Sequence, residues 1–114
     1  MIIEENNIWD TINNAKTTKL GAEWLQNAYN PNITFELRKE IAVRLGQFSQ
    51  VGWIKIKDLL TKYGNKDELI LAAGLTYQDD AKEWLLQNLY NNGIMNIKVI
   101  EALGCWGGKL PLEL

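Results

Sequence analysis

Three six-residue stretches share one pattern: Ile41-Ala42-Val43-Arg44-Leu45-Gly46, Leu69-Ile70-Leu71-Ala72-Ala73-Gly74 and Val99-Ile100-Glu101-Ala102-Leu103-Gly104. Each ends in glycine, with apolar residues at the fifth and fourth positions before it and at the position just before it. Working outward, a tryptophan precedes each glycine by 22, 21 and 20 residues: Trp24, Trp53 and Trp84, which are 29 and 31 residues apart. The first and third copies share more text, Glu23-Trp24-Leu25 and Glu83-Trp84-Leu85. A period of this kind is the signature of stacked supersecondary units, each with one face that only a neighbour can cover.

Within each unit the apolar residues recur at three- and four-residue steps, which predicts helices. Leu20, Trp24, Leu25 and Ala28 form one face of a helix from Thr17, ending at Tyr29-Asn30-Pro31-Asn32. The next runs from about Thr34 with Leu37, Ile41, Ala42 and Leu45 inward, and others are predicted over Val51–Tyr63, Lys66–Thr76, Asp79–Tyr90 and Met95–Trp106. A first helix over about Glu4–Ala15 uses Ile8, Trp9 and Ile12. No stretch sustains two-residue alternation, so no strand is predicted. The expected fold is all-α: one domain over residues 1–114, with an N-terminal helix at 1–16, helix-pair repeats at 17–49, 50–78 and 79–107, and a tail at 108–114. Glycine inside a helix costs about 1 kcal/mol relative to alanine. Its recurrence is therefore expected to bring helices close together or to cap them, and the tryptophans are expected to fill the seams between repeats.

The pattern resembles the HEAT-repeat family, and more narrowly its short repeats also found in phycobilisome lyase subunits and related bacterial proteins. The resemblance rests on Asn30-Pro31-Asn32 followed by Leu37-Arg38-Lys39-Glu40-Ile41-Ala42-Val43-Arg44-Leu45-Gly46. In the other copies Lys66 and Asn96 replace the arginine, while Ala72-Ala73-Gly74 and Ala102-Leu103-Gly104 keep the small-residue ending. It covers residues 17 to 107 and implies a right-handed α-α superhelix, an armadillo-like solenoid whose second helices line the concave side. It also implies a noncatalytic protein-protein interaction or assembly scaffold. The alternative is an accessory subunit of a bilin-lyase or tetrapyrrole-handling system, with tryptophan-rich grooves stacking on a flat chromophore.

Composition narrows the function further. Twelve basic against fourteen acidic residues give net charge −2, which argues against a nucleic-acid partner, alkylated DNA included. The absence of histidine removes the commonest general base and metal ligand. The single cysteine, Cys105, has no base to activate it and reads as a buried thiol. Asp79 and Asp80 precede a helix and read as capping or dipole-opposing carboxylates. Gly104-Cys105-Trp106-Gly107-Gly108-Lys109 lacks the ending and the preceding strand of a phosphate loop. No enzyme activity, cofactor or metal is expected. No basic-flanked apolar leader or membrane-length run is present, so the expected location is cytoplasmic, without a membrane partner.

The expected partner is another protein, held on the solvent face of the second helices. That face comprises Lys39, Glu40, Val43, Arg44 and Gln47 in the first repeat, Asp67, Glu68 and Leu71 in the second, and Ile97, Lys98 and Glu101 in the third. Charges of both signs among apolar residues suit a protein better than a polyanion. Trp9 and Trp106 fall outside the repeat register, near the chain ends. They are expected to cap an end of the array or to contact another chain, with a dimer through the repeat ends as one form.

Overall fold

The computed structural model describes Ile12, residues 19–91 and residues 93–104. Trp9, Cys105, Trp106 and the tail lie outside the described residues. So does the N-terminal helix apart from Ile12, whose side chain is buried in the core. The described residues form six helices: α1 (Lys19–Ala28), α2 (Phe35–Gly46), α3 (Ser49–Tyr63), α4 (Asp67–Leu75), α5 (Asp79–Gln87) and α6 (Ile97–Leu103). Two strands of two residues, β1 (Tyr90–Asn91) and β2 (Ile94–Met95), pair antiparallel between α5 and α6. This pairing corrects the strand-free expectation and shortens both flanking helices. It turns at Gly93, whose φ of 82° suits a residue without Cβ.

The helices stack in two layers. α2 packs on α4 and α4 on α6, forming one layer; α1 packs on α3 in the other. Trp53 of α3 extends the second layer to Trp84 of α5, with ring centroids 6.1 Å apart and planes tilted 60°. Leu37, Ile41, Ala42 and Leu45 of α2, Ile56, Leu59 and Leu60 of α3, and Leu69, Ile70, Ala72 and Ala73 of α4 fill the space between layers. Burial of each large side chain in that set is worth about 1.5–3 kcal/mol against exposure.

Two of the three recurring glycines sit at contacts between helices. A Cβ on Gly46 would lie 2.8 Å from the Leu75 Cβ and 3.0 Å from the Ala72 carbonyl oxygen, both on α4. A Cβ on Gly74 would collide with the Ala102 backbone of α6. Gly104 ends the third of the glycine-terminated stretches, and among the described residues nothing stands within 4 Å of the position its Cβ would take. A fourth glycine outside the repeat register, Gly52 of α3, has its missing Cβ directed into the Leu45 carbonyl of α2. The turn from α2 to α3 is tight because this residue has no side chain.

Two backbone positions also share one conformation. Ser49 and Tyr77, each three residues after a seam glycine, have φ of 57° and 56°. This left-handed geometry reverses the chain from one helix pair to the next and is costly for residues with a Cβ. Ser49→Gly is expected to raise stability by about 0.5–1 kcal/mol, read as a higher urea midpoint at unchanged slope.

Helix α1 departs from the expected orientation. Leu20 and Trp24 are 54% and 45% exposed, whereas Ala22, Leu25 and Tyr29 are buried. Two stripes at helical spacing run along this segment, and the inward one begins with the small residues Gly21 and Ala22. Trp24 is therefore not a seam residue, although Trp53 and Trp84 are. Asp79 and Asp80 occupy the first turn of α5, where carboxylates oppose the helix dipole. Neither caps it: the N-cap is Gln78, with no side-chain cap bond. Asn96 does cap α6, its Oδ1 accepting from the backbone N–H groups of Lys98 at 3.0 Å and Val99 at 3.3 Å.

Candidate functional site

The expected partner face draws on α2, α4 and α6, which share one layer. Lys39, Gln47, Asp67, Ile97 and Glu101 are exposed there, and Glu40, Val43, Arg44, Leu71 and Lys98 are half-buried. Four of its charges are paired along single helices: Arg44 Nε lies 3.2 Å from Glu40 Oε1, and Lys98 Nζ 3.4 Å from Glu101 Oε2. Each such pair contributes about 0.3–0.5 kcal/mol and remains free to exchange for a partner's charge. Leu71 packs against the core, so the apolar part of this face is narrower than its sequence suggests.

Glu68 does not belong to the face. It is 5% exposed and turned inward, where Tyr29 Oη donates to its Oε1 at 2.6 Å and Arg38 Nε lies 3.4 Å from the same oxygen. The Arg38 Nε is itself buried and not aligned to donate to that carboxylate. A second arm of Arg38, Nη1, donates to the Pro31 carbonyl at 2.9 Å, and the guanidinium stands 5.6 Å from the Phe35 ring centroid. Burial, the hydrogen bond to Glu68 and that carboxylate's negative charge push the Tyr29 hydroxyl pKa well above the ordinary tyrosine value. The cluster joins the end of α1, the start of α2 and the start of α4. The Tyr29–Glu68 hydrogen bond and the Arg38–Glu68 ion pair tie these three elements together, which gives the cluster a structural role.

Among the described residues, grooves open on the opposite layer at two places. The first, about 230 Å³, lies between α1 and α3 and is lined by Gln26, Asn27, Tyr29, Asp58, Lys62 and Tyr63, among others. Its floor is the Tyr29–Tyr63 ring pair, 5.5 Å between centroids, with the Lys62 ammonium 5.2 Å from the Tyr63 ring. The second, about 280 Å³, lies between α3 and α5 and is lined by Trp53, Lys57, Asp80, Glu83, Trp84 and Gln87. Both place an aromatic floor under a rim of charges and amides. Tryptophan-rich grooves are expected from the sequence, and the second groove contains Trp53 and Trp84; the first is lined by Tyr29 and Tyr63 and holds no tryptophan. Trp53 is 4% exposed and tilted against Trp84, so this pair offers no parallel-walled slot for a flat chromophore.

Among the described residues, no three His, Cys, Asp or Glu side chains gather as metal ligands. No helix among them is long and apolar enough to cross a membrane. Comparison with known proteins finds no matching family model, no matching curated protein and no matching solved structure.

Proposed function

We propose that the chain is a short HEAT-like helical array acting without catalysis as a protein-interaction or assembly module, its partner lying across the α2/α4/α6 layer. The observation that supports this most is the repeated seam, with Gly46 against α4 and Gly74 against α6 at equivalent positions. Stacking by a repeated contact builds a broad face from side-by-side helices, and the layer formed here mixes both charges with half-buried Val43 and Leu71. Such surfaces suit protein partners, whose interfaces combine an apolar centre with a polar rim.

The test is capture of partners by the full chain from its native cell, followed by mass spectrometry. One protein should be recovered in defined stoichiometry with the wild type. Recovery should fall roughly tenfold with K39E/R44E, since rim charges govern encounter and register. The variant's thermal midpoint should stay within about 3 °C, because exposed ion pairs contribute little. Equal recovery of the same protein by both chains would remove the partner from this face, and recovery of nothing above background would remove the reading itself.

A further inference from the structure

We propose that the groove between α3 and α5 binds an arginine side chain of a partner protein, the guanidinium lying on Trp84 between the carboxylates of Asp80 and Glu83. The site is on the layer opposite the face assigned above, so its fate is separable from that assignment.

The groove is asymmetric across its width. Asp80, Glu83, Trp84 and Gln87 come from α5 at the three- and four-residue steps that put them on one side of the helix, and Trp53 and Lys57 face them from α3. Among the described residues, neither Asp80 nor Glu83 is ion-paired: the four pairs are Arg38–Glu68, Arg44–Glu40, Lys55–Glu23 and Lys98–Glu101. Two carboxylates without an ion pair therefore line the α5 wall beside a half-buried indole, while the Lys57 ammonium repels cations from the α3 wall. An occupant is held by its positive end against α5.

The shape of the cation follows from the floor. Trp53 is buried beneath the groove and props Trp84 at 6.1 Å, so the accessible aromatic surface is a single indole backed by a second. A flat, weakly hydrated guanidinium can stack on an indole and still donate from its edge to carboxylates on either side. A lysine ammonium is compact and strongly hydrated, and it satisfies one of these contacts at a time. The space of about 280 Å³ admits a side chain and its adjoining backbone, and Gln87 presents an amide for that backbone.

The probe is N-acetyl-arginine amide, titrated into the full chain while the tryptophan indole N–H resonances are followed by NMR, with W84F assigning the Trp84 signal. The Trp84 resonance should shift saturably, with a dissociation constant on the order of millimolar for a ligand of this size. The citrulline analogue has the same shape without the charge and should show no saturation in that range. D80N/E83Q, whose altered residues are both exposed, should stay folded by circular dichroism and weaken binding roughly three- to tenfold. Equal shifts from citrulline, insensitivity to D80N/E83Q, or a Trp84 resonance that does not move would each overturn the assignment. Loss of capture by K39E/R44E beside an inert groove would leave the interaction reading intact and this one refuted.

Discussion

Glu68→Ala is expected to lower the free energy of unfolding by about 2–3 kcal/mol, the cost of leaving the Tyr29 hydroxyl without its acceptor and the Arg38 guanidinium without its counter-charge. Breaking a fully buried ion pair costs about 3–5 kcal/mol, and Arg38 retains partial exposure, which sets the value at or below the lower end. Urea denaturation measures it as a fall in midpoint at constant slope. Glu68→Gln keeps an acceptor for Tyr29 while removing the charge beside Arg38, so it should cost less than alanine. If alanine and glutamine are both neutral, the inward cluster does not exist and Glu68 returns to the solvent face. The same cluster has a signature at high pH. The folded-state pKa of Tyr29 is raised, so the folded state holds the proton more tightly than the unfolded state. Its contribution is complete below the unfolded pKa of about 10 and is lost as pH rises above it. Tyr29→Phe should flatten that alkaline decline while costing about 1–2 kcal/mol near neutrality, because Glu68 then loses its donor.

What could be read in the sequence, and what could not, divides along the range of the interactions involved. The glycine and tryptophan spacings carry information at a fixed period, and they correctly mark the Gly46 and Gly74 seams and the Trp53–Trp84 contact. Glu68 beside Asp67 looks like one of two acids in a first helical turn. Its real partners lie 39 and 30 positions earlier in the chain, and no local pattern connects them. Trp24 matches the tryptophan period yet faces outward, because two stripes share α1 and the smaller residues go to the contact. Gly52 gives no periodic signal at all, although its missing Cβ points at the Leu45 carbonyl. The hairpin at Tyr90 and Met95 has two residues per strand, too few for alternation to register. For the site, the α2/α4/α6 residues were brought into one layer as their repeat positions imply, while the tyrosine-lined groove between α1 and α3 depends on helix splay that periodicity does not encode.

Alanine at the three equivalent glycines is expected to give three different results, and the differences test whether the seam is the organising contact. At Gly74 the new Cβ falls on the Ala102 backbone, which cannot rotate away, so α4 and α6 must separate or shear. Overpacking of this kind costs about 1–3 kcal/mol, occasionally more, and it exceeds the gain of up to about 1 kcal/mol from placing alanine in a helix. A net loss of about 1–2 kcal/mol is expected. At Gly46 the obstacles are the Leu75 Cβ at 2.8 Å and the Ala72 carbonyl oxygen at 3.0 Å, both fixed to the α4 backbone, so the helices must shift, but by less than at Gly74, where the Ala102 carbonyl oxygen would be nearer still. Helix propensity then offsets much of the cost, and the loss should be at most about 1 kcal/mol. At Gly104 the backbone is helical, with φ −58° and ψ −21°, and nothing among the described residues stands within 4 Å of the added methyl. Alanine there should be neutral or stabilising by up to about 1 kcal/mol. The order Gly74, Gly46, Gly104 by chemical denaturation follows from which glycine has a helix stacked on it. Equal losses at all three would mean that the glycines act through local backbone preference, and the stacked-repeat account would lose its main support.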